Sequence, residues 1–285
     1  MTGSGSSAGS GSSARASGEP AGEGWTEPVA LVEDDGAVRI VRFNRPAARN
    51  AFDAALYGAV TDALAEAAVV DEVHVVVLTG AGSAFSAGQD LKEMARIVNG
   101  EVSPVTAQGF RGLLDVVGTF DKPLLAAVNG VGVGLGFTLL LHCDLVCMAD
   151  DVRLRVPFAE LGVPPEAASS YLFPTVLGWQ KAAELLFTGG WLDAAGAVEA
   201  GVAVARFPAE SLMEKTLAVA RSIAAHPLEA LQISKRLLLE TRKVQVAAAR
   251  EREEAAFAEL LGTDANRAAL DRFETDPGSW GPGRG

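Results

Sequence analysis

The residues best suited to chemistry lie on two glycine-rich junctions and in one proline-flanked acidic stretch. The first junction reads Leu78-Thr79-Gly80-Ala81-Gly82-Ser83-Ala84-Phe85-Ser86-Ala87-Gly88-Gln89-Asp90-Leu91, and the second Ala127-Val128-Asn129-Gly130-Val131-Gly132-Val133-Gly134-Leu135-Gly136. Each leaves an apolar run and enters a helical pattern. Such junctions present backbone N–H groups that have no helical partner and favour negative charge. Two loops that each aim one N–H at the same oxygen form an oxyanion hole, which stabilises charge developing on a carbonyl. The first loop lacks the Gly-Lys-Ser/Thr of a phosphate-binding loop. Gly132, Gly134 and Gly136 imitate a dinucleotide fingerprint imperfectly: the acidic residue expected about 20 residues on would be Asp150 or Asp151, where no clean strand ends. A plainer reading is that these glycines only permit close packing. Glu166 follows Pro164-Pro165, and its neighbours alone suggest a residue at a helix N-terminus, stabilised by the dipole.

The elements that must position these groups follow from periodicity. Val29–Glu33 and Val38–Phe43 flank Asp34-Asp35-Gly36, which predicts a hairpin. Asn44-Arg45-Pro46 ends the second strand. Over Ala54–Val69, Leu56, Val60 and Leu64 recur at helical spacing. His74–Leu78 is short and nearly all apolar, as a strand buried on both faces would be. Thr79–Gly88 reads as a loop, with a helix from Leu91. The pattern returns with a helix over Phe110–Phe120, a buried strand over Leu124–Val128, a loop over Asn129–Gly136, a helix starting in Phe137–His142 and a strand over Leu145–Met148. Strands alternating with helices predict an α/β core. From about Gln180 the signals are helical: Ala182–Phe187, Ala194–Ala200, Leu212–Ala225, Pro227–Leu239 and Val244–Leu261. The organisation expected is a Gly/Ser-rich tail (1–24), an α/β core (25–205), a helical C-terminal region (206–275) and a flexible tail (276–285).

Composition bounds the function. The chain has 285 residues, a net charge of -12 and 49% hydrophobic residues, enough for a sizeable core. An acidic chain is poorly suited to nucleic acid, which needs clustered Lys and Arg. The tail before residue 25 lacks an apolar signal region. No apolar run reaches the roughly 18 residues of a membrane span. Cys143 and Cys147 lie in an apolar stretch and read as free thiols of a reducing compartment, hence a cytoplasmic placement. His74, His142 and His226 are scattered and read as structural or surface residues. No Cys/His spacing suits a metal.

At this point the residues resemble the crotonase (enoyl-CoA hydratase/isomerase) superfamily. The run Phe85-Ser86-Ala87-Gly88-Gln89-Asp90-Leu91-Lys92-Glu93-Met94 is similar to the family's Phe-x-Ala-Gly-x-Asp-x-Lys-Glu-Met. Lys122-Pro123-Leu124 through Asn129-Gly130, then Gly134-x-Gly136 and Cys143-Asp144, resembles its second loop. Asn44-Arg45-Pro46 with Asn50-Ala51 resembles its opening motif. The likeness runs from about Val29 to Phe273 with the motifs in order. It implies the ClpP/crotonase-like spiral fold of repeated ββα units, with a helical C-terminal region that builds a trimer or a dimer of trimers. It implies an acyl-CoA thioester substrate and no metal or redox cofactor, coenzyme A being part of the substrate. The oxyanion donors carried over are the N–H groups of Gln89 and Leu135; many members have glycine at the second, so Leu135 must turn its side chain away. Ala87, Gly88, Gln89, Asp90 and Leu91 resemble the segment holding the CoA adenine, and Arg49 and Lys92 are candidates for its phosphates.

The resemblance also separates reactions. Hydratases of the family use two glutamates; the matching positions here are Thr138 and Phe158, which disfavours ordinary hydration. The stretch Val156 to Pro174, with Ile233-Ser234-Lys235, is more similar to the peroxisomal-type Δ3,Δ2-enoyl-CoA isomerases, whose single glutamate in Pro-Glu-Gly/Ala-x-Ser-Ser maps to Glu166. Beside Ala167, Leu172 and Phe173 that carboxyl would have a raised pKa suited to general base and acid work. Glu160 is a reserve candidate. The rivals are another crotonase reaction, including hydration with rearranged groups, a non-catalytic acyl-CoA binder and a nucleotide-dependent oxidoreductase.

Overall fold

The computed structural model describes Met1, residues 27–102 and residues 105–276. The predicted tails fall outside the described residues, apart from Met1 and Asp276.

Strands β1 (Ala30–Asp35) and β2 (Val38–Phe43) form the predicted hairpin, with Asp35 opposite Val38. Gly36 takes a φ of 60° in the turn, a conformation open to glycine at little cost. Helix α1 (Ala54–Val69) has the predicted limits because Asp53 caps it, accepting from the Leu56 N–H at 2.9 Å. Strand β3 (Val75–Gly80) pairs in parallel with β2 on one side and with β5 (Leu124–Val128) on the other; β7 (Leu145–Ala149) and β10 (Ala205–Phe207) complete the large sheet. Every residue of β3 and β5 is buried, which explains their unbroken apolar runs. Each buried Val or Leu there contributes about 1.5–3 kcal/mol by leaving water.

A second, smaller sheet holds β4 (Ala84–Ser86), β6 (Val131–Val133), β8 (Arg153–Arg155) and β9 (Leu192–Asp193) in that order. Successive units therefore give one strand to each sheet: β3 then β4, β5 then β6, β7 then β8. Helices follow: α2 (Leu91–Val98) and α3 (Val105–Thr119), α4 (Leu135–Thr138), and α5 (Ser169–Leu177). This is the α/β spiral of ββα units.

The structure corrects the finer sequence reading in several places. Strands β4 and β6 lie inside segments read as loops. At three residues each, they are too short to show a period. The helix expected from Phe137 begins at Leu135, lasts one turn and passes into a 3-10 turn over Leu139–His142. His74 lies just outside β3, its Nδ1 bonded to the Ala224 carbonyl at 2.8 Å. Helical structure resumes at α5, before the expected Gln180, and continues in α6 (Trp179–Thr188), α7 (Ala194–Glu199), α8 (Leu212–Ala224), α9 (Leu228–Glu240), α10 (Lys243–Leu260) and α11 (Asp264–Thr275). Helix α8 packs on the large sheet, α10 on α5 and α11 on α2, so the C-terminal helices reach back to the glycine-rich loops. Cys143 is half-buried and Cys147 buried, both free; burial raises both thiols, Cys143 to about 12, which keeps them protonated.

Candidate active site

Two asparagines hold the glycine-rich junctions in place. Asn50, buried and left-handed at φ 56°, accepts from the Arg45 N–H at 2.9 Å and donates to the Ala81 and Ala84 carbonyls. Asn129, at the end of β5, accepts from the Gly80 N–H at 3.0 Å and donates to the Gly82 carbonyl at 2.9 Å, tying the second junction to the first. The Ser86 hydroxyl donates to the Asn50 carbonyl and accepts from the Gly88 N–H. Arg45 pairs with Asp53 at 3.0 Å and Asp90 at 3.2 Å, linking the caps of α1 and α2. Close approach of the two loops then requires glycine. A Cβ on Gly88 would run into the Val133 carbonyl oxygen, and one on Gly136 into that of Ser86. The close-packing reading of the glycines thus holds, and it sets the Gly88 backbone against that of the second loop, next to the two N–H groups read as candidate donors.

Those groups are on Gln89 and Leu135. Phe52 and Gln89 form a parallel bridge in which the Phe52 N–H donates to the Gly88 carbonyl at 2.7 Å and the Asp90 N–H to the Phe52 carbonyl at 2.9 Å. The Gln89 N–H therefore faces away from that bridge. Leu135 opens α4, where the first N–H has no intrahelical acceptor. The Leu135 nitrogen lies 3.3 Å from the position a Cβ on Gly88 would take, next to Gln89. The Leu135 side chain is buried at 1% exposure, turned into the core as its departure from glycine demands.

Glu166 sits in a turn three residues ahead of α5, not within a helix N-terminus as its proline neighbours suggest. Ala167 and Ala168 are both left-handed, at φ 57° and 59°. The Glu166 carboxylate accepts from the Thr138 hydroxyl at 3.2 Å. Thr138 lies three residues after Leu135, so the hydroxyl that holds the carboxylate and the Leu135 N–H belong to the single turn of α4. Burial pushes the Glu166 carboxyl up to about 8; the Thr138 bond opposes this and the Glu253 charge adds to it. His142 donates from Nε2 to the Ala167 carbonyl at 2.8 Å, and burial depresses its imidazole to about 4, so it stays neutral. The Glu253 carboxylate accepts from the Ala168 N–H at 2.6 Å and the Ser170 N–H at 2.8 Å.

Glu166 and Gln89 line one cavity of about 420 Å³. Its walls are mostly apolar: Met94 and Ile97 from α2, Phe110 and Leu114 from α3, Phe257 and Ala258 from α10. The Tyr57 hydroxyl donates to the Gln89 side-chain oxygen at 2.8 Å, and burial holds the phenol well above its usual range. A mostly apolar cavity lined by Gln89 and by Glu166, a carboxyl of raised pKa, is suited to moving a proton next to a carbonyl; burial raises the Glu253 carboxyl on the same wall as well, against the pull of its N–H bonds.

The other sequence candidates lie around this site. Ala87 donates its N–H to the Arg49 carbonyl at 2.9 Å, placing Arg49 beside the first loop. Arg49 and Lys92 are exposed, and neither has a carboxylate partner among the described residues. The Asp90 carboxylate is taken up by capping Lys92 and Glu93 and by Arg45, and Leu91 starts α2. Glu160 is not brought to the cavity; it pairs with Arg155, whose guanidinium lies 5.1 Å from the Trp191 ring centre. Phe158 is buried in the core. Sequence reasoning missed Tyr57, Glu253 and the α10 wall, and took His142 as structural without its tie to Ala167. Their only sequence signal is residue type, on elements distant in sequence from the groups they meet. Among the described residues no three His, Cys, Asp or Glu side chains gather as a metal site needs, and no helix is long and apolar enough to cross a membrane.

Comparison with known proteins identifies the family. The profile of the enoyl-CoA hydratase/isomerase family matches residues 33–281. The chain belongs to that family. It is 35% identical to rat "Enoyl-CoA delta isomerase 2" over 78% of its length, spanning 57% of that relative. It is 32% identical to the "2,3-dehydroadipyl-CoA hydratase" of Escherichia coli K12, over 85% of this chain and 94% of that one. The solved enoyl-CoA hydratase/isomerase of Pseudoalteromonas atlantica T6c superposes with a TM-score of 0.80 at 33% identity, covering 87% of this chain and 97% of that one. The chain is thus a member of the enoyl-CoA hydratase/isomerase family, with the crotonase fold.

Proposed function

We propose that the protein is a Δ3,Δ2-enoyl-CoA isomerase with Glu166 as its single proton shuttle. The observation that carries this reading is the half-buried Glu166, its carboxyl raised to about 8, on the wall of the apolar cavity that Gln89 also lines. As carboxylate, Glu166 takes the C2 proton of a 3-enoyl thioester. The electron pair moves onto the thioester oxygen, which the N–H groups of Gln89 and Leu135 receive. As carboxylic acid, Glu166 returns the proton at C4 while the double bond settles at C2. Arg49 and Lys92, exposed and unpaired beside the first loop, receive the CoA phosphates, and residues 87–91 line the adenine. A trimer-based assembly through the C-terminal helices and a cytoplasmic placement, on the two free thiols, belong to the same proposal.

Hydration is the second reading, because Glu253 gives the cavity a second carboxylate and the Escherichia coli relative is named a hydratase. Against it, each Glu253 oxygen already accepts a backbone N–H, from Ala168 and from Ser170, which ties this carboxylate to the turn rather than to a water.

A coupled assay with trans-3-hexenoyl-CoA beside crotonyl-CoA hydration tests the reading. Turnover of the 3-enoyl ester should fall on the order of 10² or more in Glu166→Gln with binding retained, as loss of a general base demands. Wild-type hydration without isomerisation would assign the second reading; binding without either turnover would make the protein an acyl-CoA binder.

A further inference from the structure

We infer that Glu253, on α10, is a positioning residue that clamps the strained turn carrying Glu166. The inference rests on Glu166 being the base.

The turn needs external support. Ala167 and Ala168 both occupy left-handed backbone, where a residue with a Cβ is strained. The segment contains neither glycine nor asparagine, which tolerate that region more easily. Helix α5, which starts right after it, has no capping side chain of its own: its N-cap is Ala168. Glu253 reaches these groups from α10. One carboxylate oxygen accepts from the Ala168 N–H at 2.6 Å and the other from the Ser170 N–H at 2.8 Å. Bonds to an ionised acceptor are the strong kind. The residue is 7% exposed, so the carboxylate has left water to make them. His142 holds the Ala167 carbonyl from the opposite side of the same peptide pair, at 2.8 Å. Nothing else among the described residues donates to or accepts from the backbone of Ala167 or Ala168 through a side chain.

The same helix connects the clamp to the substrate end of the site. Phe257 is one helical turn beyond Glu253 and lies on the cavity wall, with Ala258 beside it. Whatever fills the cavity therefore bears on the helical face whose carboxylate sets the base. An apolar residue at 253 would leave the buried Ala168 N–H and the half-buried Ser170 N–H without this acceptor, and the turn would relax away from its left-handed geometry. A shift of about 1 Å at a reacting group costs on the order of 10²-fold in rate.

The test uses the full chain with Glu253→Ala, Glu253→Gln and, as a control on an exposed residue of the same helix, Glu251→Ala. Steady-state kinetics with the 3-enoyl ester are read beside amide hydrogen exchange of residues 166–177. Glu253→Ala should lower kcat on the order of 10- to 10²-fold with KM within about twofold. Glu253→Gln should fall between it and wild type, because one acceptor oxygen remains. The Ala168 and Ser170 amides should exchange at least tenfold faster in Glu253→Ala while those of Leu172 to Leu177 keep their protection. Unchanged kcat, or unchanged exchange at Ala168 and Ser170, overturns the inference. Loss of protection across all of α5 with kcat and KM moving together also overturns it, since that is general unfolding. Should Glu253→Ala not fold, Glu253→Gln carries both readouts. Glu166→Gln assayed in parallel separates the two levels: if it keeps turnover, the base assignment fails and the positioning role with it, whereas loss there with indifference at Glu253 removes the clamp alone.

Discussion

At the two glycine-rich junctions, groups are brought together by what the residues lack. Gly88 and Gly136 let one loop lie against carbonyls of the other, and two N–H groups stay free because of where a bridge and a one-turn helix begin. At the Glu166 turn the logic is reversed. Two alanines hold left-handed backbone, and the geometry is imposed from outside by Thr138, His142 and Glu253, 28, 25 and 85 residues away from the groups they bond. The junctions hold one another, backbone against backbone with an asparagine on each; the turn is held by side chains from three other elements. The first arrangement keeps charge-stabilising donors rigid, which is what preorganisation requires. The second sets a carboxyl against elements far apart in the chain, and the desolvation they impose raises its pKa.

The sharpest way to break the comparison is to remove a donor without touching the turn. Leu135→Pro deletes the N–H at the first position of α4, where proline is tolerated. Turnover should fall on the order of 10²–10³ if that N–H meets the thioester oxygen. Leu135→Ala keeps the N–H and loses only packing, so melting should fall by ~2–5 kcal/mol while kcat changes within a few fold. Equal activity of the two variants would refute the backbone-donor role.

The turn should announce itself in stability. The Glu166 carboxyl titrates near 8 in the folded state against 4.5 for the free group, so between those values the native protein holds a proton that the unfolded chain releases. Wild-type stability should therefore decline as pH rises through this window. Glu166→Gln removes the term and should be the more stable protein at pH near 8, by on the order of 2–4 kcal/mol, with the difference vanishing below about 4.5. Denaturant melts of both proteins at several pH values measure it; a constant difference would mean that the carboxyl is not desolvated.

The smallest effect expected lies at Thr138. Thr138→Val removes the one bond that favours the Glu166 carboxylate, worth about 0.5–1.5 kcal/mol. The rising limb of kcat/KM should move to higher pH, with a loss of a few fold at neutral pH and little change on the alkaline plateau. A limb that stays in place would detach Thr138 from the base.

The sequence by itself determined the hairpin, the limits of α1, the buried strands β3, β5 and β7, and the two glycine-rich junctions. The first three show in local pattern, as apolar periodicity and the Asp53 cap, and the junctions show in their glycine spacing, although the carbonyls those glycines must clear lie on the other loop. Motif resemblance added Glu166, Gln89 and Leu135 as residues of one site. The small sheet was invisible, because its strands of two or three residues have no period and exist only by pairing with one another. So were Tyr57 on the Gln89 side chain, His142 on Ala167 and Glu253 on the turn, since a helical residue's type says nothing of what a distant element presents to it. The raised carboxyl of Glu166 had a cause in its apolar neighbours. Its size was decided by burial beneath α5 and α10, which bring water exclusion and a second carboxylate to one place. Only the tertiary structure could do that, because desolvation is a property of the whole surrounding shell and not of the residues next in the chain.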